Sequence, residues 1–331
     1  MASNLGLIAD IGGTNARFAL VGRRGIRQAQ VLKCGDHPSL VAAARAYLAD
    51  VKPDRRITHG AFCVAAAVTG DMVQMTNHPW SFSIQETEMR LGLSALKVIN
   101  DFTAVALSIP QLEDGHRRLI GGTAPQPHAP IGVIGPGSGL GVSALVRCGD
   151  HWEALATEGG HVTIPAVTDR EEAVIAVLRE QFGHVSAERV ISGQGLENLY
   201  AAIRHLNGDV AQESMTAARI SDAALAETDQ AATEALQMMC AMLGTVSGNL
   251  ALSIGARGGM YIAGGILPKL GDTLDQSQFR SRFVSKGRFD GWLDPIPTWL
   301  ITHELPAFLG LKGLLADAID LLPASQDEFS A

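Results

Sequence analysis

The sequence predicts an α/β fold in two domains, and three observations carry that expectation. The chain has 331 residues, where a domain takes roughly 150. Hydrophobic residues make up 47% of it, enough to build sizeable cores. A strand, a glycine-rich turn and a second strand occur twice, at Leu5 to Val21 and at Ile131 to Val146. The two units suggest related halves facing each other, separated by stretches of helical periodicity.

In order along the chain, Leu5, Leu7 and Ala9 alternate with Gly6, Ile8 and Asp10, and the chain turns at Gly12-Gly13-Thr14-Asn15 before an apolar return from Arg17 to Val21. A third strand is expected at Gln30 to Lys33. Ser39 is the expected N-cap of a helix through Leu48, with Leu40, Ala43, Ala44, Tyr47 and Leu48 on one face. Gly60 to Val68 reads as a buried strand and Lys97 to Ile99 as another. A helix follows from Asn100-Asp101 through Ile109, stopped by Pro110. Arg117 to Pro130 is rich in Gly, Pro and His and reads as a loop at a domain boundary. Then come strands at Ile131 to Ile134 and Val142 to Val146 around the turn Gly135 to Gly141. Helices are expected at Arg170 to Phe182, Leu196 to Leu206 and Asp222 to Ser253. Strands follow at Met260 to Ala263 and Thr298 to Thr302, and a last helix at Pro306 to Leu322.

Composition excludes several classes. Charged residues are 18%, too few for a disordered chain. Lys and Arg number 26 against 34 Asp and Glu, a formal charge of −8, which would repel a phosphate backbone, so no nucleic-acid partner is expected. Cys34, Cys63, Cys148 and Cys240 are far apart, with no zinc spacing, and read as reduced thiols of a cytoplasmic protein. No signal peptide is expected at the N-terminus. Ala235 to Ala256 carries no charge and is long enough to cross a bilayer. Its Gln, Thr, Ser, Asn and Gly content and its lack of aromatic anchors favour a buried helix instead.

Five segments can carry chemistry. At Asp10 to Asn15, glycines let backbone N–H groups approach a polyanion, Thr14 and Asn15 add donors, and Asp10 could act through Mg²⁺ and its waters; an ordinary hairpin turn accounts for the segment equally well. The second turn has glycines at 135, 137, 139 and 141, which read either as a tight hairpin between core strands or as one bare backbone face for phosphates, the reading favoured beside the first turn. It is neither a Walker loop, since no Gly-Lys pair occurs in the chain, nor a complete G-x-G-x-x-G. Asn100-Asp101 closes a buried strand. Taken alone, Asp101 reads as a helix cap, and otherwise as a carboxylate at the ligand-binding edge, able to accept a hydroxyl proton. Glu158-Gly159-Gly160-His161 reads as a polar surface turn or the edge of a site for a hydroxyl-rich ligand, since paired glycines disfavour a helix there. Glu188 reads as a first-turn acid facing a helix dipole.

Together, Ala9-Asp10-Ile11-Gly12-Gly13-Thr14-Asn15-Ala16-Arg17, Thr76-Asn77-His78-Pro79-Trp80, Val98-Ile99-Asn100-Asp101-Phe102-Thr103-Ala104, Gly137-Ser138-Gly139-Leu140-Gly141, Glu158-Gly159-Gly160-His161-Val162, Gly183-His184-Val185-Ser186-Ala187-Glu188-Arg189 and Ile262-Ala263-Gly264-Gly265-Ile266 resemble the bacterial glucokinases over nearly the whole chain. The resemblance is to the branch of the actin/hexokinase superfamily without a zinc-binding cysteine cluster. It implies the actin/hexokinase-like (ribonuclease H-like) α/β fold, with an interdomain cleft and the last helix crossing back to the first domain. The small domain would then be residues 1–110 plus 301–331, and the large one 111–300.

The resemblance also implies ATP with Mg²⁺ as phosphoryl donor, glucose as acceptor and a homodimer. Asp101 would be the base for the 6-hydroxyl, and Asn100, Glu158, His161 and Glu188 the other sugar ligands. Ala9, Asp10, Ile11, Gly12, Gly13, Thr14 and Asn15 would form one phosphate turn, and Gly137, Ser138 and Gly139 the other. Gly264 and Gly265 would lie on the adenosine side. No residue is assigned as a direct metal ligand. The rivals are a kinase for fructose, mannose or an N-acetylhexosamine, and a non-catalytic sugar sensor of the same fold. A repressor would need a helix-turn-helix ahead of the first strand at Leu5, and an actin-like filament protein would leave Glu158, His161 and Glu188 without purpose.

Overall fold

A computed structural model of the chain describes residues 4–76, 78–209, 214–316 and 318–319. Contacts divide the chain into two compact units. One holds the described residues up to Glu113, Trp152–Ala156 and those from His303 onward; the other holds Asp114–His151 and the described residues of Thr157–Thr302.

The first unit opens with β1 (Leu5–Ile11), β2 (Asn15–Gly22) and β3 (Gly25–Lys33), followed by α1 (Leu40–Val51) and β4 (Ile57–Val64). Next come β5 (Met72–Gln74), β6 (Ser81–Ser83), α2 (Ile84–Leu91), β7 (Ala95–Asn100) and α3 (Asp101–Ser108). The main sheet runs β3-β2-β1-β4-β7. The first three strands pair antiparallel, while β1, β4 and β7 are parallel. β1 is buried along almost its whole length, as a central strand covered on both faces must be. Ser39 caps α1 by accepting from Ala42 N–H at 3.2 Å. Phe18 stacks on Tyr47 at 5.5 Å and meets Phe62 edge-on at 6.5 Å, and these rings centre the core.

The second unit contains β8 (Arg117–Gly121), β9 (Ile131–Pro136) and β10 (Leu140–Cys148); β11 (His151–Ala156) follows, most of it grouping with the first unit. Then come α4 (Asp169–Phe182), α5 (Gly193–Leu206), α6 (Ala217–Leu225), α7 (Gln230–Ile254) and β12 (Met260–Ile262). The unit ends with the short helices α8 (Thr273–Gln276), α9 (Phe279–Val284) and α10 (Asp290–Leu293), then β13 (Thr298–Ile301). Strands β10, β9, β12, β13 and β8 lie side by side in that order. The β9–β10 hairpin is antiparallel, and β12 and β13 continue parallel to β9. This repeats the pattern of β2, β1, β4 and β7.

α7 passes the length and hydropathy test for a membrane span, yet 78% of its apolar window is buried inside the protein. Its glycines explain part of that packing. A Cβ on Gly244 would stand 2.1 Å from the Phe279 carbonyl oxygen and one on Gly248 2.4 Å from that of Phe283, so α9 rests directly on the α7 backbone. The last described helix, α11 (Pro306–Leu314), packs on α3 in the first unit.

Four readings of the sequence need correction. Arg117–Gly121 is the strand β8, paired antiparallel to β13; its half-exposed edge lacks clean alternation and was hidden among glycines and prolines. The helix read over Asp222 to Ser253 is two, because Glu227 takes a left-handed φ of 54° and Asp229 caps α7 through Ala231 and Ala232 N–H. The strand read over Gly60 to Val68 ends at Val64, where Ala66 N–H turns back to the Val64 carbonyl at 2.8 Å. The last helix ends at Leu314, and positions 317 and 320–322 of its expected course lie outside the described residues.

Candidate active site

Because β1, β4 and β7 are parallel, their carboxyl ends share one edge, where open α/β sheets present ligand groups. Asn100, the last residue of β7, caps α3. Its Oδ1 accepts from Phe102 N–H at 2.9 Å and Thr103 N–H at 3.3 Å, and its Nδ2 donates to the Ala66 carbonyl at 3.3 Å. The cap expected of Asp101 therefore falls to Asn100. Asp101 opens α3 and its Oδ1 accepts from Phe102 N–H at 2.9 Å. Burial pushes the Asp101 carboxyl up to about 6, with the charge of Asp10 adding to the shift and the Phe102 N–H opposing it.

Asp10 pairs across the β1–β2 hairpin with Arg17, whose Nη1 donates to Asp10 Oδ2 at 3.1 Å. Cys63, beside Asp10 in register, donates its thiol to Oδ1 at 3.6 Å. Burial, then the charges of Asp10 and Asp101, hold the Cys63 thiol well above its usual range, so it stays protonated and unreactive. Neither Cys63 nor Arg17 received a role from the sequence. Arg17 was within reach, since a hairpin turning at residues 12–14 sets 10 opposite 17; Cys63 needed the β1–β4 register.

The Gly12-Gly13 segment is a hairpin turn, with Gly12 N–H donating to the Asn15 carbonyl at 2.9 Å. Cys34 holds it from one side: its thiol donates to the Gly12 carbonyl at 3.4 Å and its N–H to that of Thr14 at 2.9 Å. Ala9 and Ile11 point their side chains into the core, so only their backbones can serve a ligand. Asn77 lies outside the described residues; beside it, Trp80 is buried and donates its indole N–H to the His37 carbonyl.

In the second unit the β9–β10 turn closes with Gly137 N–H donating to the Gly139 carbonyl at 2.8 Å, and Ser138 is exposed at its tip. Gly264 takes a φ of 96°, and a Cβ there would lie 2.2 Å from the Pro136 carbonyl oxygen. The end of β12 thus meets the end of β9 backbone to backbone, while Gly265 faces open space. Gly159–His161 forms one 3₁₀ turn, although paired glycines argued against any helix. Glu158 precedes it and His161 ends it, with Oε2 and Nε2 3.9 Å apart, both about 60% exposed and so free to meet a polar ligand. Glu188 opens no helix. α5 begins at Gly193 with Ser192 as its cap, and the Glu188 carboxylate instead accepts from Leu140 N–H at 2.9 Å. Of the residues singled out from the sequence, the structure groups Asp10 to Asn15 with Asn100 and Asp101 in the first unit. It groups Gly137 to Gly139 with Glu158, His161, Glu188, Gly264 and Gly265 in the second. Among the described residues, no three or more His, Cys, Asp or Glu side chains are clustered to hold a metal.

The comparisons with known proteins agree with one another. A family model described as glucokinase matches residues 7–318. The chain is 51% identical to the glucokinase of Paramagnetospirillum magneticum over 317 residues, covering 95% of this chain and 98% of that one. It is 50% identical to the glucokinase of Aromatoleum aromaticum, covering 95% of each. Among solved structures, a glucokinase from an Antarctic psychrotroph superposes with a TM-score of 0.84 at 35% identity, covering 95% of this chain and 99% of that one.

Proposed function

The chain belongs to the glucokinase family, so it is an ATP-dependent glucose kinase, and we propose that Asp101 is the base for the sugar's 6-hydroxyl. The observation that carries the assignment is the Asp101 carboxyl itself. It is half-buried at a sheet edge, fixed by Phe102 N–H and held to about 6, so it is ionised at pH 7 yet basic enough to take a proton. The 6-oxygen bonds to the γ-phosphorus as the bond to the β,γ-bridging oxygen breaks. ADP leaves, and the hydroxyl proton passes to Asp101. Such a transfer is governed by positioning and by charge stabilisation.

Asn100 has one amide hydrogen beyond its bond to Ala66, available to a sugar hydroxyl. Glu158, His161 and Glu188 complete the sugar ligands by their match to the family pattern. The hairpin turn at Ala9 to Asn15 and the turn at Gly137 to Gly139 hold the phosphates, and Gly264 and Gly265 the adenosine side. Asp10 would meet Mg²⁺ only through the ion's own waters. One carboxylate with both oxygens engaged, to Arg17 and Cys63, suits an ion that keeps most of its water and is held largely by substrate phosphates. The bound ion supplies neutralising charge on those phosphates. Two units, one of the residues up to Glu113 with the C-terminal helix and one of the middle of the chain, serve as the small and large domains. The four free cysteines suit the cytoplasm, and the family pattern a homodimer.

A coupled assay for ADP release with glucose, fructose, mannose, N-acetylglucosamine and no sugar tests the reading. Release driven by glucose well above the other sugars is expected. Release that is independent of sugar, or fastest with another hexose, would replace glucose as the acceptor.

A further inference from the structure

We propose that Glu188 is a positioning residue for the β9–β10 glycine turn, so that a sugar ligand also shapes the nucleotide-phosphate site; this rests on the function proposed above. Glu188 Oε2 accepts from Leu140 N–H at 2.9 Å. Gly139 leaves room for it: a Cβ there would stand 2.4 Å from the same oxygen, so the carboxylate fills the place of a side chain on the turn. The backbone closes the contact from behind. Glu188 N–H donates to the Gly160 carbonyl at 2.9 Å, and Gly160 lies so near Leu140 that a Cβ on it would be 2.1 Å from the Leu140 carbonyl oxygen. The Glu188 carbonyl accepts from Ser192 Oγ at 2.8 Å, Ser192 caps α5, and Gly193 N–H returns to the Gly137 carbonyl at 2.9 Å. Glu188 therefore ties the phosphate turn to the Glu158–His161 turn and to the start of α5.

A hydrogen bond from a backbone N–H to an ionised acceptor is about twice as strong as a neutral one, and leaving that N–H unpaired is costly. Leu140 is buried, so water offers its N–H no ready substitute. The bond to Leu140 N–H uses Oε2 alone. One oxygen serves the turn and the other is available to a sugar hydroxyl.

The test is Mg²⁺–ADP affinity by titration calorimetry with no sugar present, alongside KM for glucose. A group that served only the sugar would leave ADP binding unmoved. Glu188→Ala is expected to weaken ADP binding about tenfold, the scale of one lost charge-assisted bond. Glu188→Asp, charged but one methylene too short, is expected to weaken it similarly. Glu188→Gln, of full length and with a carbonyl acceptor, is expected to keep ADP affinity within about threefold while KM for glucose rises. If Glu188→Ala does not fold, the Asp and Gln variants carry the comparison. ADP affinity unchanged in the Ala or Asp variants would overturn the inference and leave a sugar ligand only. Equal loss in the Gln variant would overturn it too. Wild-type protein that bound no ADP would overturn the nucleotide assignment itself, and this inference with it.

Discussion

At the scale of the residue, Asp101 is held in a state that burial and the charge of Asp10 both oppose, with the carboxyl pushed up to about 6. Two consequences follow from the same shift. The base proposed here works only when ionised, so kcat/KM should fall about tenfold per pH unit below 6 and level off above it; a profile flat down to pH 5 would remove Asp101 from that role. The second consequence is for stability. The folded carboxyl titrates near 6 and the unfolded one near ~3.9, so the unfolded chain sheds its proton first. The resulting penalty is absent below ~3.9, grows through the interval and is complete above 6. Asp101→Asn can still accept from Phe102 N–H and carries no charge. It should gain ~1–3 kcal/mol at pH 7.5 and little at pH 4 by urea unfolding, while kcat drops about 10²–10⁴-fold. A variant less stable at pH 7.5, or one with wild-type kcat, would contradict the account.

The position of Asp101 depends on an element, α3, and α3 depends on α11. A Cβ on Gly310 would lie 1.9 Å from the Ala104 carbonyl oxygen, so the two helices touch backbone to backbone. Gln111 reinforces the contact by donating to the Leu309 carbonyl at 2.7 Å. Gly310→Ala must push α11 off α3, at an expected ~1–3 kcal/mol in urea unfolding, and should lower kcat more than it raises either KM, because it shifts Asp101, the proposed base, and leaves both glycine turns alone. Unchanged kcat would mean that α3 does not take its place from α11. At this scale the sequence was readable where local chemistry decides. Ser39 marks the start of α1, and the glycine turns mark both hairpins. It was unreadable where a distant partner decides. β8 is a strand because β13 is there to pair with it. Glu188 finds Leu140 through a loop whose course no periodicity encodes, and Cys63 meets Asp10 only through strand register.

Among the described residues, two large clusters of buried apolar side chains stand out. One gathers around Phe18, Tyr47 and Phe62, the other around α7. The second is locked by a buried ion pair: Arg282 donates to both Glu171 oxygens, at 2.7 and 3.1 Å, and its Nε donates to Thr245 Oγ1 at 3.0 Å. This joins α9, α4 and α7 at one point. Glu171 also accepts from Val167 N–H at 2.7 Å, just ahead of α4. Removing one member of such a pair leaves the other charged and buried, which costs about 3–5 kcal/mol. Arg282→Ala should therefore lower overall stability by that amount. Hydrogen exchange should localise the loss, because each unit has its own core and can open by itself. Amides of α4, α7 and α9 should exchange faster in the variant, while those of β1, β4 and β7 keep their wild-type protection. Equal acceleration across both sets would mean that the two cores unfold as one cooperative body, and that the ion pair stabilises the chain as a whole.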